Sequence, residues 1–234
     1  MGALALLSAL ALPAAASAGP QPAGSVQLSD GRTYAHWAHP EHQGAVRRRP
    51  SPRSRLVARL HFRTEDRFSE VYPALRRFTD RRGRGWIRVR VPGRPNGRTG
   101  WVRAFALGPL NRVRTRLVVN RGTLRATLYR SGRRIWRSRI GVGTPSTPTP
   151  RGHFWIREKF KTANPGGSFG PYAFGTGAYS VLSEWPGGGV IGIHGTSQPG
   201  LIPGRPSHGC VRVPNPAILR LSRLMPVGTP VRIR

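Results

Sequence analysis

Apolar residues in this chain come in runs too short for long helices, and glycine or proline interrupts them every few positions. With Gly 30 and Pro 23 in 234 residues, turns are frequent. Glycine supplies the positive backbone angles turns require, and proline removes an amide donor and ends regular elements. The chain must therefore build its core mainly from short strands. Residues 56–62 read as one strand, and 86–91 alternate apolar residues with arginine at period two. Pro92-Gly93 and Pro95-Asn96-Gly97 follow as turns, then Gly100-Trp101-Val102 as another strand. Several strands packed into residues 45–110 predict a small β-barrel.

A second unit begins at residue 115. Leu117-Val118-Val119, 123–129 and 135–142 are separated by Asn120-Arg121-Gly122 and Ser131-Gly132, the signature of a β-meander. Residues 144–150 form a Pro/Thr-rich loop, and Phe154-Trp155-Ile156 opens a further strand. Residues 163–189 read as a long Gly-rich loop with at most one strand, carrying Phe169, Tyr172, Phe174, Tyr179 and Trp185. Loops of this length in a compact domain often serve as lids, although core packing explains aromatics equally well. Val190-Ile191-Gly192-Ile193 is a short buried strand ending at His194. Asn215-Pro216 predicts an N-cap and first helical turn. Ile218, Leu219, Leu221, Leu224 and Met225 then supply one apolar helical face, and residues 230–233 close as a strand.

Charge is the second constraint. Lys+Arg number 39 against 8 Asp+Glu, a net +31, and the only lysines are Lys159 and Lys161. A surface this basic draws polyanions at long range. No continuous basic helix, Cys/His finger spacing or RNA-binding aromatic signature accompanies it, so nucleic acid is not the expected partner. Anionic wall polymers fit the same charge.

The N-terminus points to export. An apolar run over residues 3–12 precedes Pro13 and Ala16-Ser17-Ala18, a small-x-small cleavage pattern that makes residues 1–18 a signal peptide. No Lys or Arg precedes the run, and a buried N-terminal helix is the competing reading. The run is too short to span a bilayer, which takes about 20 apolar residues. Residues 19–44 are polar and aperiodic, and read as a flexible linker. Cys210 is the single cysteine. It forms no internal disulfide, and in an oxidising compartment it is either a buried inert thiol or a used one.

Its neighbours favour use. The segment Ser207-His208-Gly209-Cys210-Val211-Arg212 lies 16 residues after His194. A thiol nucleophile needs a base and backbone donors aimed at a tetrahedral oxyanion. Gly209 lets the backbone approach an acyl group, and the Gly/Pro-rich stretch 196–206 can fold back to bring His194 to Cys210. The residues alone leave both His194 and His208 as candidate bases. A metal site from His194, His208 and Cys210 lacks a fourth ligand at familiar spacing, so neither metal nor cofactor is expected.

An upstream histidine followed by Ser-His-Gly-Cys-x-Arg resembles the signature of the L,D-transpeptidase (YkuD-type) catalytic domain. The resemblance covers residues 115–234, including Thr149-Pro150-Arg151-Gly152 and the C-terminal Pro-Val-Arg-Ile strand. The segment before it, with its Trp-containing strand, turn and Gly-Trp-Val, is similar to bacterial SH3-like modules, or else is a strand-rich extension of the next domain. The expected fold is thus mainly β: a mixed, sandwich-like catalytic domain with one short helix behind a small SH3-like barrel. The resemblance implies a cysteine acyltransferase acting on peptidoglycan stem peptides in the cell wall. Cys210 would be the nucleophile and His194 the base. Ser207, His208 and Gly209 would shape the oxyanion side, and Arg212 would support the site or a substrate carboxylate. An acyl-enzyme thioester, resolved by an amine of a neighbouring stem, would yield a 3→3 cross-link. Two alternatives remain: an L,D-carboxypeptidase that uses water, and a non-catalytic basic wall-binding protein.

Overall fold

A computed structural model describes residues 24–184 and 186–234. The expected signal peptide, and Trp185, lie outside the described residues. The chain is mainly β, with one α-helix among the described residues. No helix among them is long and apolar enough to cross a membrane.

The first eight strands form one sheet: β1 (Gly24–Gln27), β2 (Ala35–Ala38), β3 (Ala45–Arg47), β4 (Leu56–Arg59), β5 (Tyr72–Thr79), β6 (Gly85–Arg90), β7 (Thr99–Arg103) and β8 (Asn111–Val113). Their order is β4-β3-β7-β6-β5-β2-β8, with β1 also paired to β5. Val46, Ala74, Ile87, Val89 and Val102 meet in its core. The alternation read at 86–91 holds: Ile87 and Val89 point inward while Arg88 is exposed.

One expectation fails here, and one strand carries no signal in the sequence. Residues 24–44 are no linker, since β1 and β2 both pair with β5. Their polar composition hides the pairing because β1 is exposed throughout and contributes backbone rather than core. The longest strand of this sheet, β5, was not recognised. Pro73 and the Arg76-Arg77 pair interrupt its apolar pattern, and proline ordinarily demotes a strand reading.

Ten strands form the second sheet: β9 (Thr115–Asn120), β10 (Arg125–Arg130), β11 (Arg133–Arg139), β12 (Gly141–Gly143), β13 (Gly152–Lys161), β14 (Tyr172–Tyr179), β15 (Val190–His194), β16 (Gly204–Ser207), β17 (Val211–Arg212) and β18 (Pro230–Ile233). The expected meander is β9-β10-β11. The C-terminal strand inserts between β9 and β13, parallel to the first and antiparallel to the second. Helix α1 (Asn215–Leu224) buries Ile218 and Leu221, and Met225 follows them into the core beside Phe174, Ile191 and Ile193. Leu219 departs from the expected apolar face and is exposed, because it lies one residue, about 100°, away from Ile218.

Residues 64–71 of the first unit dock on β13. The Trp155 indole donates to the Val71 carbonyl at 2.7 Å. Arg157 donates its Nε to Glu70 Oε1 at 2.8 Å and pairs through a second nitrogen with Glu70 Oε2. Its third nitrogen contacts Glu65 at 2.9 Å and donates to the Tyr179 hydroxyl at 3.0 Å. Glu70 is 0% exposed and Arg157 3%, so this is a fully desolvated pair. Burial opposes the Arg157 charge, but the Glu70 and Glu65 carboxylates outweigh it and hold the guanidinium well above its ordinary value.

Candidate active site

The thiol and imidazole meet through strand pairing. β15 and β17 run parallel, with Ile193 opposite Val211 and His194 opposite Arg212. Strand alternation sends Ile191 and Ile193 into the core, and therefore puts Gly192 and His194 on the opposite face. Cys210, one residue before β17, lies beside Gly192, whose amide donates to Cys210 Sγ at 3.3 Å. A Cβ placed on Gly192 would sit 3.5 Å from His194 Cδ2 and 3.7 Å from Cys210 Sγ. Gly192 is thus the floor over which the two side chains approach. Sequence reading placed it in the strand without seeing this use.

His194 is 4% exposed, and its Nδ1 lies 2.6 Å from the Gly195 carbonyl oxygen. A carbonyl only accepts, so Nδ1 carries the proton and Nε2 keeps its lone pair. The Phe169 ring packs edge-on against the imidazole, centroids 4.8 Å apart. Burial pulls the His194 pKa down to about 4, aided by Arg212 and opposed by the Gly195 carbonyl. Burial pushes the Cys210 thiol up, against the Gly192 amide and Arg212, which pull it down. Both groups therefore rest neutral near pH 7.

The turn 207–210 is tied down from several sides. Ser207, buried, donates its hydroxyl to the Cys210 carbonyl at 2.6 Å and accepts the Gly209 amide at 3.2 Å. Gly209 holds φ +125°, and a Cβ there would come within 2.7 Å of Ile191 Cδ1. Only glycine fits both the angle and the space. Thr149, also buried, donates to the Gly209 carbonyl at 2.7 Å and accepts the Gly143 amide at 2.9 Å. Ser180 donates to the His208 carbonyl at 3.2 Å. The His208 side chain is exposed. Arg212, half-buried, donates to Gln198 at 3.0 Å.

Asn215 does not cap the helix through its side chain. Pro214 takes the N-cap position, and Asn215 Oδ1 accepts the Thr196 amide at 2.8 Å, fixing the segment after His194. Thr149, Ser180 and this role of Asn215 went unread in the sequence. Thr149 alone had a signal, the Thr-Pro pair of its loop.

Cys210 and His194 line two cavities that share Ser168, Phe169 and Val190. One, about 220 Å³, is bounded by Ser180, Ile191 and His208. The other, about 700 Å³, extends over Phe160 and Phe174 to Asp66 and Glu158. Glu158 accepts the Thr64 hydroxyl at 2.6 Å. Burial, with Asp66 beside it, pushes its pKa up to about 7, against the pull of the Thr64 bond and Arg157.

The first unit also holds the loop bordering the thiol. Arg94 donates to the carbonyls of Ser180 (2.9 Å), Leu182 (3.0 Å) and Gly188 (3.0 Å), and its guanidinium lies 5.2 Å from the Tyr179 ring centroid. Asn96 pairs with the Tyr179 backbone in both directions, at 2.8 and 2.9 Å. Among the described residues, no group of three or more His, Cys, Asp or Glu side chains is placed to hold a metal ion.

Residues 114–233 match the L,D-transpeptidase catalytic domain family, YkuD. Two curated relatives carry the provisional name L,D-transpeptidase YkuD. The Bacillus licheniformis protein is 39% identical over 115 residues, covering 49% of this chain and 61% of its own length. The Bacillus subtilis protein is 35% identical over 117 residues, covering 50% of this chain and 64% of its own length. The match thus spans less than two thirds of either relative. Among solved structures, the catalytic domain of an E. faecium L,D-transpeptidase aligns with a TM-score of 0.39 at 24% identity, covering 51% of this chain and 96% of that domain.

Proposed function

Because the chain belongs to the L,D-transpeptidase catalytic-domain family, matched over residues 114–233, we propose that it is a cysteine acyltransferase that cross-links peptidoglycan stem peptides outside the cytoplasmic membrane. The observation that carries this reading is the thiol and imidazole converging over Gly192, with Nδ1 tied to Gly195 so that Nε2 is free to accept a proton. Cys210 Sγ attacks the carbonyl of the donor stem as its proton moves to His194 Nε2. The tetrahedral oxyanion forms against the 207–210 turn, which Ser207 and Thr149 hold rigid. As the carbon–nitrogen bond breaks, the imidazolium returns the proton to the departing amine of the terminal residue. The thioester remains on sulfur.

An acceptor amine then gives a proton to Nε2, attacks the thioester carbon and expels the thiolate, which takes the proton back. Two cavities meeting at one sulfur suit a reaction with two successive substrates. The Asp66–Glu158 end of the larger cavity, where Glu158 is about half-ionised near neutral pH, offers carboxylate oxygens to an amine carried by a stem peptide. Arg212 stands beside the couple, where it can face a substrate carboxylate.

The test is to incubate the full chain with tetrapeptide-stem muropeptides and read both protein and products by mass spectrometry. An acyl adduct on Cys210 and a cross-linked dimer lacking one terminal residue are expected. Stem trimming without dimers would make water the acceptor and the protein a carboxypeptidase. Full activity in Cys210→Ala would remove the mechanism altogether.

A further inference from the structure

Away from the thiol, the two sheets enclose a third cleft of about 470 Å³. Its lining is set by strand register. On β5 and β6, Arg76 stands directly opposite Arg88, and Arg90 follows two residues later on the same face as Arg88. On the second sheet, His153 stands opposite Arg232, and Arg232 opposite Val118. Arg116 lies two residues before Val118, on the same face of β9. All six of these basic side chains line the one cleft.

Like charges directly opposite in a sheet are destabilising. Here one such pair, Arg76 and Arg88, shares a concavity with Arg90, Arg116 and Arg232, where the field of each adds to the next. The described residues contain three ion pairs, and none uses these guanidinium groups. Asp30 is the one carboxylate on the lining. Its Oδ1 already accepts the amides of Arg32, Thr33 and Tyr34 at 2.7 to 3.0 Å. Arg76 donates to Gln27 and Arg88 to Thr99, both neutral, and Arg116 rests over the Tyr129 ring. The mutual repulsion registers on the groups themselves. Burial and then Arg88 lower the Arg90 pKa, and burial, Arg90 and Arg232 lower that of His153. His153 thus senses arginines from both sheets.

We propose that this cleft binds phosphate, either a phosphodiester of an anionic polymer or a free oligophosphate. A tetrahedral phosphate offers acceptors in several directions and satisfies forks arriving from different strands, whereas a carboxylate engages one fork in its plane. The cleft has no stacking platform for bases, since its aromatic side chains, Phe154 and Trp155, are each 2% exposed. Binding here does not depend on thiol chemistry, so its failure would leave the acyltransferase reading untouched.

The experiment uses the full chain at about 150 mM salt, where diffuse charge attraction is weakened. Inorganic tripolyphosphate and poly(glycerol phosphate) are titrated by calorimetry, and the His153 pKa is followed by NMR. Phosphate in the cleft should raise the His153 pKa. The double variant Arg90→Ser/Arg232→Ser should weaken binding by about tenfold or more. Arg133→Ser/Arg137→Ser removes the same charge from exposed positions on β11 and should change binding by less than about twofold. Loss with one probe supports the site and identifies its source as polymer or small anion, and loss with both supports a site for the phosphate group the two share. Equal loss in the β11 variant, an unmoved His153, or equally tight binding of polyglutamate would overturn it.

Discussion

Iodoacetamide alkylation of Cys210 from about pH 5 to about pH 10 reports where the thiol proton resides, because only thiolate reacts. Transferring that proton to His194 moves it from a thiol whose pKa burial pushes up to an imidazole whose pKa burial pulls down to about 4. The imidazole's displacement from 6.5 to about 4 disfavours the ion pair by about 3 kcal/mol at ~1.36 kcal/mol per unit. The ordinary preference of the proton for a thiol over an imidazole, ~2 units, adds about 3 kcal/mol, and burial of the thiol acts in the same direction. Attraction between the resulting ions returns ~4 kcal/mol for a close pair at an effective dielectric of ~20. The neutral couple therefore remains the ground state. Alkylation of the full chain, followed by intact mass, should rise about tenfold per pH unit into the alkaline range. Acylation by a stem peptide should behave differently, since it needs neutral imidazole and neutral thiol together. Its rate should stay level across neutral pH, fall on the acid side only as His194 protonates near its pKa of about 4, and collapse in His194→Gln. Alkylation that is flat from about pH 5 upward would mean a preformed thiolate–imidazolium pair, and the burial argument would be wrong.

Three further outcomes follow from named contacts. His194→Ala should slow acylation by about 10²- to 10⁴-fold, the usual reach of a general base, and His208→Ala by less than about threefold. The reverse result in single-turnover assays would reassign the base. Glu70→Ala removes the fully buried partner of Arg157 and leaves that charge, 3% exposed, to Glu65 alone, so it should lower stability by about 3 kcal/mol in urea titrations, the lower end of the cost of breaking a buried pair. A loss under about 1 kcal/mol would show the pair to be solvated. Arg94→Ala removes the donors to Ser180, Leu182 and Gly188. Hydrogen exchange at the Ser180 amide, bonded to Gly189 across this loop, should quicken by about tenfold or more. Unchanged exchange would show that the loop holds itself.

The strands that bring the thiol to the imidazole were legible because their signals are local. Alternating residues fixed the meander, and the short apolar run ending at His194 fixed β15. Cys210 was legible through the flanking Ser-His-Gly, but the residues left His194 and His208 both open as its partner, and the family resemblance pointed to His194. The support around them was not legible. Thr149, Ser180 and Asn215 act through single hydrogen bonds to backbone groups far away in sequence, and such bonds leave no periodicity. Gly192 looked like any strand glycine, since its use depends on what crosses above it. Arg94 and Arg157 were hidden in a different way, because among 39 Lys+Arg no single arginine stands out. Residues 24–44 misled by polarity, although β1 and β2 join the sheet through backbone pairing.

The docking of residues 64–71 on β13, with Arg94 and Asn96 on the 179–188 segment, bears on how such a chain can be rearranged. A gene fragment starting near residue 115 would encode a sheet whose Arg157 has lost Glu70 and whose Trp155 indole has lost its acceptor. Grafting the second unit behind a foreign leader module would strand the same groups. Recombination that separates the two halves is thus penalised unless both faces of the seam travel together. The N-terminal half is heritable cargo of the thiol site, and changes at Glu70 or Arg94 should be accompanied in descendants by changes at Arg157 or the loop they hold.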